Sequence, residues 1–173
     1  MATFSKHIHI EATKEKVWEV LADIGGIYKW NPGVAYSYAT SEEIQGIGAT
    51  RHCDLIGRRG YLEERVMDWR EGEAFKIRVY ETDLPIRKNV VRFALDGEED
   101  GTVVTVNPDY TVKYGAVGFI MDRLFLRKKV KKGMEGLLEG LKYHLETGEP
   151  VGESLPAVEN RPEPGSGVRW HRV

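Results

Sequence analysis

The chain has 173 residues, a formal net charge of −2, 41% hydrophobic residues and a single cysteine, Cys53. This length suggests one domain with a sizeable core, and the near-neutral charge gives no indication of nucleic-acid binding. One cysteine excludes an internal disulfide and suits a cytoplasmic location. No apolar run approaches the roughly 18 residues of a membrane span, so no integral membrane segment is expected.

The N-terminus predicts a β-strand over residues 4–11, in which Ile8 and Ile10 alternate with His7 and His9. Two histidines at i and i+2 on a strand could share a metal ion. They fall on the polar face, however, and no third ligand is evident nearby in the sequence. No metal site is therefore expected here.

Two short helices are predicted after this strand. Thr13 is placed to cap the first helix, and Gly25–Gly26 is expected to break it. A second short helix over residues 27–32 is expected to end at the proline. Trp30, just before the next strand, fits either a core anchor or a cavity wall.

Turn residues then divide the chain into six further strands. Alternating apolar residues place these strands at residues 34–41, 49–56, 61–69, 74–80, 87–95 and 102–113. Because consecutive strands are joined by short turns, we expect an antiparallel sheet. Pro108 predicts a bulge or an edge position in the last strand.

A long amphipathic helix is predicted over residues 117–146, and Gly148 supplies its end. Its glycines, Gly133, Gly136 and Gly140, indicate either close packing against a sheet or room for a ligand. The basic segment 127–132 interrupts the apolar stripe, so a kink or break is possible near it. It is typical of a solvated helix face, and a membrane-surface or partner-docking role is the alternative.

The sequence therefore predicts an α+β fold in which a curved seven-stranded antiparallel sheet wraps around a long C-terminal helix. Residues 1–147 form this domain. Residues 148–173 form a Pro/Gly-rich tail without apolar periodicity, in which Val168, Trp170 and Val173 could dock on an unspecified surface.

Arg51 and Glu64 are predicted to share the inner face of two paired strands. If Leu55 pairs with Leu62, then Cys53 pairs with Glu64, and Arg51 lies diagonally within reach of the carboxylate. Burying either charge alone is costly, so the two need each other. They form either a purely structural ion pair or a polar station that orients a ligand in an apolar cavity.

Most of the candidate ligand-binding residues are apolar or aromatic and are expected to line the space between sheet and helix. They are Trp30, Val34, Tyr36, Tyr38, Arg51, Cys53, Glu64, Phe75, Ile77, Val91, Phe93, Tyr110, Met121, Phe125 and Met134. Taken singly, most of the apolar ones fit the core as well. The tyrosines would add hydroxyl groups to the walls.

Motifs for nucleophilic catalysis, phosphate binding and dinucleotide binding are absent from the sequence. Cys53 beside a carboxylate should have a raised thiol pKa, which argues against a thiolate nucleophile. If the protein is an enzyme, the candidate catalytic residues are Arg51, Glu64 and Tyr36.

Several loose motifs in a fixed order carry a family resemblance over residues 3–147. They are Ala12-Thr-Lys-Glu-Lys-Val-Trp18, Trp30-Asn-Pro32, Gly48-Ala-Thr-Arg51, Glu64-Arg-Val66, Gly101-Thr102 and the long helix. The sequence resembles the helix-grip superfamily, also called SRPBCC or START-like, and within it the polyketide cyclase/dehydrase branch. The resemblance implies a cavity for hydrophobic, lipid-like or polycyclic molecules, without metal or cofactor.

Three functions follow from this resemblance and from the residues. The first is a carrier or binding protein for a hydrophobic small molecule. The second is a cofactor-independent cyclase or dehydratase, in which Arg51 stabilises enolate charge and Glu64 or a tyrosine moves a proton. The third is a protein-interaction module acting through the basic segment or the tail. Fold alone does not separate them, and the oligomeric state stays open.

Overall fold

A computed structural model of the chain describes residues 2–57, 60–113 and 127–151. The start of the predicted long helix, with Met121 and Phe125, lies outside the described residues. So does most of the predicted tail, from residue 152 onward.

Eight strands form one antiparallel sheet. They are β1 (Ala2–Thr3), β2 (Lys6–Ile10), β3 (Val34–Ala39), β4 (Thr50–Leu55), β5 (Tyr61–Arg70), β6 (Ala74–Thr82), β7 (Ile86–Glu98) and β8 (Gly101–Val112). The order across the sheet is β1-β8-β7-β6-β5-β4-β3, and β2 also pairs with β8. Because β1 and β2 follow one another along β8, the curved sheet is seven strands wide, as the sequence predicted.

The interruption between β1 and β2 lies opposite Pro108. Thr3 pairs with Asp109 and Lys6 pairs with Val106, so the register continues across the gap without a bulge. Proline has no N–H group to contribute to a ladder of hydrogen bonds. The structure therefore accommodates Pro108 by a gap in the pairing of the neighbouring strand.

Three helices accompany the sheet in the described residues: α1 (Lys14–Ala22), a 3₁₀ helix (Ile24–Lys29) and α2 (Arg127–Thr147). Thr13 Oγ1 accepts a hydrogen bond from the Lys16 backbone N–H at 3.4 Å, which confirms the predicted cap of α1. The predicted break at Gly25–Gly26 is wrong, because both glycines lie inside the 3₁₀ helix. A Cβ atom on Gly25 would lie 2.9 Å from the Ala39 backbone nitrogen, so a close approach to β3 requires the glycine.

The C-terminal half of α2 closes one end of the inner face of the sheet. Its buried residues are Leu137, Leu138, Gly140, Leu141 and Leu145. A Cβ atom on Gly140 would overlap the Trp30 carbonyl oxygen and lie 2.9 Å from Pro32 Cδ, whereas one on Gly133 would meet nothing within 4 Å. At Gly140 the structure supports close packing, but against the turn at residues 30–32 and not against the sheet.

The end of α2 was predicted correctly. Gly148 has a φ of 79°, and its N–H donates to the His144 carbonyl oxygen at 2.8 Å. In the basic segment 127–132, the Arg and Lys residues are exposed. None of the helices in the described ranges is long and apolar enough to cross a membrane.

Aromatic residues fill the core beneath α1. Phe75 and Phe93 stack with ring centroids 4.8 Å apart, and Trp18 meets Trp69 edge-on at 4.9 Å. Glu71 accepts hydrogen bonds from both of these indoles, each at 2.7 Å. This end of the interior is therefore packed by side chains with satisfied polar atoms.

Candidate functional site

Four polar side chains occur at one level across the inner face of the sheet. Successive strand pairs join Arg51 to Glu64, Glu64 to Val79, Val79 to Asn89 and Asn89 to Tyr110. Directly opposed residues of antiparallel strands project from the same face. Arg51, Glu64, Asn89 and Tyr110, which we name the polar row, therefore cross the sheet from β4 to β8.

Arg51 and Glu64 form a buried ion pair in this row. Arg51 Nε donates to Glu64 Oε2 at 2.7 Å, and a second guanidinium nitrogen donates to the Ile24 carbonyl oxygen at 2.9 Å. The two residues are only 4% and 5% exposed. Burial opposes the charge of Arg51, but the effects of Glu64 and Cys53 together outweigh it, so the Arg51 pKa is raised. Arg51 therefore stays charged within an otherwise apolar interior.

The predicted register of β4 and β5 is wrong by two residues, although the ion pair it was meant to explain is present. Cys53 pairs with Leu62, and Arg51 stands directly opposite Glu64. The hairpin closes with a hydrogen bond from the Leu55 N–H to the Gly60 carbonyl oxygen, so Leu55 lies opposite Gly60 and not opposite Leu62.

The predicted placement of Tyr36 and Tyr38 on the inner face is also wrong. The pairing of β3 with β4 shifts between Val34 and Tyr36, so Val34 is buried inside while Tyr36 and Tyr38 pair with Asp54 and His52. A bulge places one extra residue on its strand and reverses the face of every residue beyond it. Tyr36 is therefore not available to a site that contains Arg51 and Glu64.

The remaining predicted lining residues that the structure describes lie in the interior. Buried core residues are Trp30, Val34, Cys53, Phe75, Ile77, Val91, Phe93 and Tyr110. Met134 is half-buried and packs against the core. Phe75 and Phe93 belong to the tightly packed aromatic end, whereas Val91 lies two residues from Asn89 of the polar row. The apolar layer nearest to the row consists of Val66, Ile77, Val91 and Pro108.

The indole of Trp30 carries an unused donor. Trp30 is 2% exposed, and its Nε1 makes no hydrogen bond to any residue in the described part of the chain. Its ring meets Phe93 edge-on with centroids 6.5 Å apart. A buried N–H without a partner is costly and usually has a functional or structural reason.

Cys53 lies beside the ion pair, with its Sγ 3.6 Å from Glu64 Oε2. Burial raises the pKa of the Cys53 thiol far above its ordinary value; Arg51 lowers it and Glu64 adds to the rise. The sequence predicted this direction from the carboxylate, but burial is the larger cause. Cys53 is thus a neutral wall residue and not a thiolate nucleophile.

Asn89 is the residue of the polar row that the sequence reasoning missed. It is half-buried and stands between Val79 and Tyr110. The available signal was its spacing, because Asn89, Val91, Phe93 and Leu95 alternate along one face of β7. A polar residue in phase with three apolar ones predicts an inward position.

A second polar cluster surrounds His9, which lies in β2. His9 Nε2 lies 3.3 Å from Asp100 Oδ1 and 3.7 Å from Glu98 Oε2. The turn between β7 and β8 thus brings the carboxylates of Glu98 and Asp100 close to His9, a contact that the sequence did not predict. His7 is not part of this group, and exposed acidic groups of this kind often hold no ion.

Comparisons with known proteins agree with this architecture. Residues 1–146 match the model of the family described as polyketide cyclase / dehydrase and lipid transport. A comparison with curated proteins gave no match.

Similar solved structures share the fold at low sequence identity. The protein TTHA0849 from Thermus thermophilus has a TM-score of 0.72 at 17% identity, covering 85% of this chain and 99% of its own. A START superfamily protein from Mycobacterium smegmatis has a TM-score of 0.68 at 20% identity, covering 83% and 97%. The Zhui aromatase/cyclase from Streptomyces sp. R1128 has a TM-score of 0.70 at 17% identity, covering 84% and 93%. With the family model matched over nearly all of the described fold, the chain belongs to the polyketide cyclase / dehydrase and lipid transport family.

Proposed function

We propose that the protein binds a hydrophobic small molecule, lipid-like or aromatic and polyketide-like, between the inner face of the sheet and α2. The family to which the chain belongs includes lipid transport in its description. The polar row beside the apolar layer of Val66, Ile77 and Val91 supports a ligand that is mainly apolar with one polar end.

The observation that carries this proposal is the buried, unpaired N–H of Trp30. An acceptor oxygen on a ligand would recover the hydrogen bond that the described residues do not supply. The other indoles of the described residues, Trp18 and Trp69, are both bonded to Glu71, so the unpaired donor is specific to the Trp30 position.

The apolar residues and the Arg51–Glu64 ion pair would make different contributions to binding. Burial of apolar ligand surface against Val79, Val91 and Met134 would supply affinity, at about 25 cal/mol per Å². Arg51, held by Glu64, would orient a carbonyl or hydroxyl group. Because the pair is already formed, little ordering is needed when the ligand enters.

Native mass spectrometry of the protein purified from its host tests this proposal, together with thermal shifts on adding palmitate or a hydroxylated anthraquinone. We expect a co-purifying lipophilic mass or a raised melting temperature with a probe. Trp30→Phe should weaken the shift, and the matched control Trp69→Phe should leave it unchanged. Absence of both a bound mass and any thermal shift would overturn the proposal.

A second candidate function is a cofactor-independent cyclase or dehydratase. The polar row favours it, because a fixed guanidinium, a carboxylate and a phenol occur on one face at Arg51, Glu64 and Tyr110. The related aromatase/cyclase shows that the fold is compatible with this chemistry in another chain. Glu64→Gln and Tyr110→Phe should lower turnover of a polyketide-like substrate while binding persists; unchanged turnover in both would exclude these two residues from the mechanism.

A further inference from the structure

The basic segment 127–132, which begins α2, presents a concentrated positive charge. Five of its six residues are basic and exposed: Arg127, Lys128, Lys129, Lys131 and Lys132. None of the five forms a salt bridge with another residue that the structure describes. The first carboxylate beyond the segment, Glu135, accepts a hydrogen bond from Lys6 of β2. The positive charge of the segment is therefore not neutralised by a salt bridge within the described fold, in a chain whose net charge is −2.

The exposed charge changes sign along α2. Beyond Lys132, the exposed charged residues of this helix are Glu135, Glu139 and Glu146. An α-helix rises by about 1.5 Å per residue, so the basic segment occupies only about 9 Å of the helix. A nucleic-acid strand lying along α2 would bring its phosphates next to the glutamates. A surface that meets only the basic end of the helix avoids this repulsion.

Apolar side chains lie next to the basic ones. Val130 and Met134 are half-buried, and Met134 packs against the core. Lys131 Nζ lies 5.8 Å from the ring centroid of Phe4, which is also half-buried. Clusters of Lys and Arg beside apolar side chains are typical of surfaces that bind anionic bilayers, because the apolar stems and the charged heads contact different depths of the lipid interface. This mixture favours a lipid surface over an acidic protein.

We propose that the basic segment docks the protein on an anionic lipid bilayer, with Lys128 and Lys132 among the phosphate headgroups. The inference rests on the proposed function for its purpose, because an apolar ligand partitions into bilayers and the same helix carries Met134 of the proposed ligand site. The family description also includes lipid transport. Each basic residue near an anionic bilayer strengthens binding by about fivefold, so a cluster of this size is sufficient for reversible docking.

Co-sedimentation of the full chain with lipid vesicles tests this proposal. One set of vesicles contains phosphatidylcholine alone, and the other contains phosphatidylcholine and phosphatidylserine in equal amounts. We expect the protein to bind only the second set at low ionic strength. Binding should be lost in about 1 M salt, where the Debye length falls to about 3 Å.

A pair of double variants supplies the second arm of the test. Lys128→Gln/Lys132→Gln should weaken binding to the mixed vesicles by about 25-fold. The matched control Lys16→Gln/Arg78→Gln removes two exposed positive charges from α1 and from the outer face of the sheet, and should bind like the unmodified protein. Both variants should keep the thermal shift with palmitate. Loss of docking and loss of ligand binding are therefore distinguishable: vesicle binding without any thermal shift refutes the proposed function alone.

Several outcomes would overturn the docking proposal. Equal binding to the two sets of vesicles, binding that persists in high salt, or equal losses in the two double variants would each show that the basic segment does not recognise anionic lipid. A single-stranded oligonucleotide and polyglutamate serve as competing polyanions. Tighter binding to either one than to the mixed vesicles, at equal concentration of negative charge, would assign the segment to nucleic acid or to an acidic protein instead.

Discussion

Two ion pairs on β4 and β5 are one residue apart in sequence and lie on opposite faces of the sheet. Arg51–Glu64 on the inner face and His52–Glu63 on the outer face both have a nitrogen–oxygen distance of 2.7 Å. The inner side chains are 5% and 7% exposed, and the outer ones are 18% and 13% exposed. The contacts are alike, but the surroundings give them different consequences.

The difference lies in which partner can lose its charge. The inner pair contains a guanidinium that stays protonated at any working pH, so the interior always holds one fixed positive charge. The outer pair contains an imidazole that titrates near neutrality. The inner pair is thus suited to a permanent orienting role, and the outer pair makes its face sensitive to pH.

Breaking the inner pair should have the largest effect. Arg51→Met leaves the Glu64 carboxylate buried without its partner and should lower the free energy of unfolding by about 3–5 kcal/mol. Urea denaturation measures this change. The double variant Arg51→Met/Glu64→Leu should recover most of the loss, because it buries no uncompensated charge. A double variant as unstable as the single one would contradict this account of the pair.

The closure of the inner face by α2 can be tested at its glycines. Gly140→Ala inserts a methyl group against the Trp30 carbonyl oxygen and should cost about 1–3 kcal/mol of stability. Gly133→Ala has open space and should stabilise by up to about 1 kcal/mol through helix propensity. Thermal or urea denaturation distinguishes the two signs. Equal effects would mean that α2 does not approach the 30–32 turn as described.

The stability that the outer pair contributes should depend on pH. The hydrogen bond to Glu63 raises the pKa of His52 above its ordinary 6.5, with burial opposing and the Glu63 and Asp54 charges adding to the rise. The resulting stability is fully present below pH 6.5 and is lost as pH rises through the folded-state pKa. We expect a contribution below about 1 kcal/mol.

A pH titration of the His52 ring protons, followed by nuclear magnetic resonance, measures the His52 pKa. Urea denaturation below pH 6.5 and above the folded-state pKa measures the change in stability. Glu63→Gln should bring the His52 pKa down and flatten the stability profile. A His52 pKa at or below 6.5 in the unmodified protein would show that the hydrogen bond to Glu63 does not stabilise the protonated imidazole.

The smallest perturbation concerns Cys53 beside the inner pair. Because burial raises its thiol pKa and covers its sulfur, labelling by a thiol reagent at about pH 8 should be slow in the folded protein and fast in denaturant. Mass spectrometry of timed samples measures the rates. Rapid labelling without denaturant would mean that solvent reaches the wall next to Glu64.

Much of the fold follows from periodicity in the sequence. The alternation Phe75, Ile77, Val79 and Val91, Phe93, Leu95 correctly predicted buried faces of β6 and β7, because regular strands keep a period of two. Arg51 and Glu64 were correctly placed inside by the same logic, since a charge on an apolar face needs a partner of opposite charge.

The features that the sequence did not predict arise from irregular backbone geometry and from long-range contacts. The bulge between Val34 and Tyr36 reverses the tyrosines, and a bulge has no signature in the alternation of Tyr36 and Tyr38. The two-residue error at Leu55 arose because turn geometry, and not composition, sets the register of a hairpin. The hydrogen bond that the Trp18 indole donates to Glu71 joins residues 53 positions apart in sequence, so only the folded chain shows it.

The central claim, that a hydrophobic ligand occupies the inner face next to Trp30, is tested most directly by the indole ¹H–¹⁵N signals during titration with palmitate or a hydroxylated anthraquinone. We predict a saturable shift of the Trp30 signal. The signals of Trp18 and Trp69, whose indoles donate to Glu71, should shift very little. Saturable binding that leaves the Trp30 signal in place would contradict the claim.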